Sequence, residues 1–248
     1  MNWFKNAEGG GLTKEFCKHA TLFSFFVLIL ALALCALAVG FLRPAHNLPA
    51  IINEWSPRVA MVTCEFLNAD GSDTMLARSG ILVHDSSGNP HVLTTADAVE
   101  HNGNTLLACH IDITGISTID IGPGGFVISS DGDIADLQIP ADTVGLPRAS
   151  NLRRCAANEP DAGDSVVVLG YPYSATTPIA ATDGIIAGLS SAGDRYLTTA
   201  YLTAGSFGGV AIDVPHDCYL GMSQVLLAAD SSPGPGEILK WQQFAQEL

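Results

Sequence analysis

The chain has 248 residues, enough for one ordinary domain and an appendage, and it is 48% hydrophobic but only 15% charged, with 25 Gly and 13 Pro. That composition excludes a disordered chain and favours strands and turns over a helical bundle. The net charge is −14, and 23 of the 25 acidic residues but only seven of the 11 basic ones follow residue 43; such a surface repels phosphate backbones, so nucleic-acid binding is excluded.

Residues 1–19 read as a short polar tail. From Ala20 to Leu42 the chain carries no charge, which is long enough for a helix to cross a bilayer. Lys5, Lys14 and Lys18 precede that stretch, whereas Arg43 and Arg58 are the basic residues near its far end. The distribution predicts a single-pass anchor with a cytoplasmic N-terminus and the bulk of the chain outside the cytoplasm. A cleaved signal peptide ending at Ala36–Ala38, or lipid attachment at Cys35, are the alternatives.

Residues 43–57, with three prolines, read as a linker, and residues 58–248 as one exported domain. Within it, short apolar runs such as RVAMVTCEFL, SGILVHD, HVLTTA, NTLLACHIDI, DSVVVLGYP, DGIIAGLSS, GGVAID and CYLGMSQVLLA alternate with turn clusters such as NADGSD, DSSGNP, IGPGG and SSPGPG. About ten strands at that spacing predict an all-β barrel or sandwich. Only the end has helical periodicity: Ile238, Trp241, Phe244, Ala245 and Leu248 form one stripe. Cys64, Cys109, Cys155 and Cys218 lie in the exported part, where disulfides are chemically allowed, and three pairings are open to them.

Several segments, in order, resemble the trypsin-like serine proteases, most of all their HtrA/Deg branch. SGILVHDSSGNPHVLTTADAVE (Ser79–Glu100) is similar to that family's hairpin ending in LTNAHVV. DIADLQIP (Asp133–Pro140), GDSVVVLGYP (Gly163–Pro172), DGIIAGLSS (Asp183–Ser191) and GSFGGVAID (Gly205–Asp213) resemble further family segments, the last falling on GNSGGPL. The resemblance spans about residues 57–248 and implies two six-stranded-type β-barrels with a C-terminal helix. It also implies that Cys155 and Cys218 share the second barrel and can pair, leaving Cys64 and Cys109 in the first.

Serine protease chemistry needs a hydroxyl nucleophile, an imidazole to take its proton, a carboxylate to orient the imidazole, and two N–H groups for the oxyanion. By the resemblance the imidazole position falls on Asp97, the carboxylate on Asp133 and the nucleophile on Phe207. An aspartate is a poor base at neutral pH and phenylalanine has no nucleophilic atom. The expectation is a pseudoprotease with no cofactor and no metal, serving as a binding or scaffolding subunit of a larger membrane complex. A peptide in the vestigial cleft is a further candidate partner, and a periplasmic setting follows if the chain is bacterial.

Two alternatives have different chemistry. Ser206 can be read as the nucleophile of A-x-S-x-G, or of a shifted register, with His84 or His91 as substitute base. Asp97 and Asp133 can be read as a carboxylate pair sharing a proton, or as ligands of a hard cation in a ligand sensor. Asp131 and Asp133 resemble part of a calcium loop, but its remaining ligands are missing.

Overall fold

A computed structural model describes residues 47–147, 153–156, 160–172, 178–227 and 233–243. The tail and the apolar segment 20–42, with Cys35 and Ala36–Ala38, lie outside the described residues. Among the described residues no helix is long and apolar enough to cross a membrane.

The fold is all-β. Strands β1 (Val59–Leu67), β2 (Asp73–His84), β3 (Pro90–Thr95), β4 (Thr105–Ile113), β5 (Ile119–Ile121), β6 (Phe126–Ile128) and β7 (Ile134–Gln138) form one antiparallel sheet in the order β5-β4-β1-β2-β3-β7-β6. Its outermost strands, β5 and β6, are consecutive in sequence and joined only by Gly122–Gly125. A flat seven-stranded sheet would hold its edges about 29 Å apart, whereas four linking residues reach about 18 Å at most. The sheet therefore curls until its edges approach. Strands β8 (Ser165–Gly170), β9 (Ala180–Leu189), β10 (Arg195–Thr198), β11 (Val210–Asp213), β12 (Cys218–Leu227) and β13 (Pro233–Lys240) close a barrel in the order β10-β13-β12-β11-β8-β9. One closed barrel and one curled sheet thus stand where two closed barrels were expected.

The apolar runs are continuous because both faces of many strands are buried. Ile81 and Val83 enter a central core between the sheet and the barrel, while Leu82 enters the hollow of the sheet. Val167 and Leu169 join the same central core, and Val166 and Val168 point into the barrel. Ile238 and Leu239 divide in the same way. That division corrects the expected C-terminal helix: the apolar pair 238–239 fits a strand with two buried faces, and β13 closes the barrel by pairing with β10 and β12. Trp241–Gln243 follow as a 3-10 turn, and Phe244, Ala245 and Leu248 lie outside the described residues.

The stretch read as a linker contains helix α1 (Leu48–Trp55), with Pro49 in its first turn, where a missing N–H costs nothing. Ile51 and Trp55 lie four residues apart on one face and both enter the central core. The Trp55 ring stacks on Tyr219 at 6.2 Å.

One disulfide joins Cys64 to Cys109, which are directly opposed on β1 and β4. The second joins Cys155 to Cys218 at the start of β12. The bridged cysteines are 45 and 63 positions apart in sequence, and linking distant points of the chain restricts the unfolded state. Replacing Cys64 and Cys109 together by alanine is expected to lower unfolding free energy by about 3 kcal/mol, read as a lower urea midpoint.

Candidate functional site

Three loops and two strands converge on a cleft of about 210 Å³ lined by Thr95, Ala96, Asp97, Gly132, Asp133, Phe207 and Gln224. Asp97 sits in the 3-10 turn Ala96–Ala98 that ends β3, and Asp133 immediately precedes β7. The two loops are tied by the Ala96 N–H, which donates to the Asp133 carbonyl at 3.0 Å. Phe207 follows the 3-10 turn Ala204–Ser206, and Gln224 belongs to β12. The structure therefore brings together Asp97, Asp133 and Phe207.

Each carboxylate has its own arginine. Arg78 donates to Asp97 Oδ2 from Nε at 3.0 Å and Nη2 at 2.6 Å, while the Thr95 hydroxyl donates to Oδ1 at 2.5 Å. The Arg78 guanidinium also lies 5.4 Å from the centre of the Phe207 ring, a cation–π contact. Across the cleft, Arg195 Nη2 donates to Asp133 Oδ2 at 2.6 Å. Its Nη1 reaches Gln224 Oε1 at 2.8 Å and Glu237 Oε2 at 3.4 Å, and its Nε lies 3.5 Å from Asp194. Burial works against the Arg195 charge, but Asp133, Glu237 and Asp194 outweigh it and hold its pKa above the ordinary value. Glu237 is almost fully buried, and that burial raises its pKa despite Arg195. Asp97 and Asp133 thus each face a different guanidinium.

The loop 203–209 turns its amides inward. Ser206, Phe207, Gly208 and Gly209 donate to the carbonyls of Thr203, Ala204, Ser223 and Ser206 at 3.0, 3.4, 2.8 and 3.0 Å. Ser206 closes a capping box: its hydroxyl donates to the Thr203 carbonyl at 2.8 Å and accepts the Thr203 N–H at 2.9 Å. Gly208 has φ +83°, and an added Cβ would collide with the Ser79 carbonyl oxygen, so only glycine fits.

Ser79, fully buried on β2, holds this loop in place. Its N–H donates to the Phe207 carbonyl at 2.8 Å, and its hydroxyl donates to the Gly205 carbonyl at 2.9 Å and accepts the Tyr171 N–H at 2.8 Å. The Ser79 carbonyl accepts the Thr94 hydroxyl at 2.7 Å.

Both histidines proposed as substitute bases lie elsewhere. His91 meets Asp136 at 2.9 Å through Nδ1, and its Nε2 is 3.6 Å from Asp85. Burial lowers the His84 pKa, helped by Arg58. Among the described residues no imidazole or thiol belongs to the cleft lining, and Thr95 supplies its only hydroxyl. Asp131 caps its own turn by accepting the Ser129 hydroxyl at 2.5 Å. His216 pairs instead with the buried Asp213, Nδ1 to Oδ2 at 2.5 Å, and Asp164 lies close to both.

Sequence reasoning missed Arg78, Arg195, Gln224 and Glu237. The available signal was scarcity, because only seven basic residues follow residue 43 and two of them face the cleft acids. The chain matches no protein-family model, and no curated protein matches it in sequence.

Two variants probe these contacts. Ser79→Ala leaves the Tyr171 N–H and the Gly205 carbonyl without that partner, and is expected to cost about 1–3 kcal/mol in urea unfolding. Arg195→Met removes the cation from the buried Glu237, a change expected to cost about 3 kcal/mol. The sign with pH is fixed: Glu237 would then titrate still further above its unfolded value, so the folded state binds the extra proton. Stability of Arg195→Met should therefore fall, relative to wild type, as pH rises through the folded pKa, and the deficit should be larger at pH 7 than at pH 4.

Proposed function

We propose that this chain is a membrane-anchored, catalytically inactive trypsin-like domain of the HtrA/Deg kind, and that it acts as a binding subunit of a membrane complex. The observation that carries this reading is the pairing of Asp133 with Arg195 beside an aspartate and a phenylalanine at the other two triad positions. A general base, a nucleophile and a free orienting carboxylate serve acyl transfer in this family; the described lining of the cleft has no imidazole, its Thr95 hydroxyl donates to Asp97, and Asp133 is engaged by Arg195. The Phe207 amide, one donor that an oxyanion would need, is turned to Ala204. Ser206 is a poor replacement nucleophile because its hydroxyl donates to the Thr203 carbonyl and accepts the Thr203 N–H. A hard cation calls for six or more oxygen ligands, whereas Asp97 and Asp133 each turn Oδ2 to a separate guanidinium.

Binding remains the function such a domain can perform. Its curled sheet and barrel, locked by two disulfides, present a rigid surface, and the apolar segment 20–42 would fix that surface at a bilayer outside the cytoplasm. The test is fluorophosphonate labelling of the full chain in mild detergent, alongside Ser206→Ala and an active trypsin-like protease. No labelling of folded protein is expected. Labelling that disappears in Ser206→Ala would make the chain a working hydrolase and overturn the proposal.

A further inference from the structure

We propose that the cleft accepts one basic side chain, a lysine or an arginine, from a peptide segment of a partner protein; this rests on the binding-subunit reading above. The size is right for a single side chain, because about 210 Å³ is below the usual range for whole small-molecule sites. The charge is also right. Two guanidiniums, Arg78 and Arg195, face four carboxylates, Asp97, Asp133, Asp194 and Glu237. Even with Glu237 displaced towards its neutral form by burial, negative charge is in excess, and both carboxylates that line the cleft are partly exposed. The Asp97 side chain is 47% exposed and that of Asp133 33%. Asp133 Oδ1 makes no hydrogen bond among the described residues, so it is open to a ligand donor.

Two further groups narrow the ligand to a side chain carried by a peptide. Phe207 supplies an apolar wall, suited to the methylene stem of a side chain that ends in a cation. Gln224 is about nine-tenths buried, and Arg195 Nη1 donates to its Oε1. That bond fixes which end of the amide is oxygen, since a guanidinium can only donate. The Gln224 Nε2 is left without an acceptor among the described residues, and a peptide carbonyl beside the basic side chain would satisfy it. A carboxylate or phosphate ligand would instead meet Asp97 and Asp133 head on.

The experiment is calorimetric titration of the full chain, in non-ionic detergent, with N-acetyl-Ala-Lys-Ala-amide and with its Nε-acetyl-lysine counterpart. The lysine peptide is expected to bind and the acetylated peptide to bind more weakly. Asp97→Asn and Asp133→Asn should each weaken the lysine peptide by about fivefold, whereas Asp183→Asn, on the exposed side of β9, should leave it unchanged. Should Asp97→Asn fail to fold for want of a partner to Arg78, Asp133→Asn decides alone, because Arg195 keeps Asp194 and Glu237. Equal binding of both peptides, no binding of either, or an unaltered affinity in Asp133→Asn overturns the assignment. Mass spectrometry of the recovered peptide separates the two ideas. A cleaved peptide overturns the inactive reading itself, whereas an intact peptide that fails to bind overturns only the ligand class.

Discussion

A single buried serine couples the two halves of this molecule. The backbone N–H and hydroxyl of Ser79 reach from the curled sheet to Phe207, Gly205 and Tyr171, while its carbonyl is bound by Thr94 on the neighbouring strand. Buried polar groups are tolerated only when satisfied, so these bonds fix the spacing between the sheet and loop 203–209 more tightly than apolar contact could. The loop answers with glycine at 208, because the Ser79 carbonyl occupies the space where a Cβ would stand. The position of the Phe207 ring, and with it the wall of the cleft, follows from this junction. Arg78 is the next residue along β2, so the same strand that sets the loop also sets the cation above the ring.

Electrostatics in the cleft works against a general scarcity of positive charge. Only seven basic residues follow residue 43, yet two of them are held at the cleft in ion pairs of 2.6 Å. Arg195 is additionally shared among Asp194, Glu237 and Gln224. A partly buried arginine with several acceptors is held in one orientation by its planar fork, so it serves as a strut as well as a counter-ion. The barrel strands β10 and β13 and the loop before β7 of the curled sheet are thereby joined through one side chain.

Much of this fold was readable in the sequence because strand burial is a local signal. The runs RVAMV, GILV, HVL, VVVL and GVAI became β1, β2, β3, β8 and β11. The same continuity misled at the end of the chain. Ile238 and Leu239 serve opposite faces of one strand, but with Trp241 they also fit a helical stripe, and only barrel closure by β13 decides between them. Strands β5 and β6 were too short to stand out around IGPGG. In the cleft, the positions of Asp97, Asp133 and Phe207 could be named from the resemblance, but their partners could not. Arg78 is 19 residues from Asp97, and Arg195 is 62 residues from Asp133. No local pattern encodes such pairs; they come from strand order and loop geometry.

The character of the cleft bears on why it persists in this form. Partly buried ion pairs are weak contributors to stability, since desolvation offsets most of their attraction, and apolar replacements of similar volume often serve as well or better. A cleft filled only for stability would be expected to close over with aliphatic side chains around Phe207. Instead it remains open and keeps two arginine–aspartate pairs from four separate segments, each with a carboxylate still partly exposed. Holding charge at that cost makes physical sense where the charge has a second task. On the proposed reading that task is recognition: the arginines hold Asp97 and Asp133 in fixed positions, and the exposed edges of those carboxylates are what a partner's cation would meet.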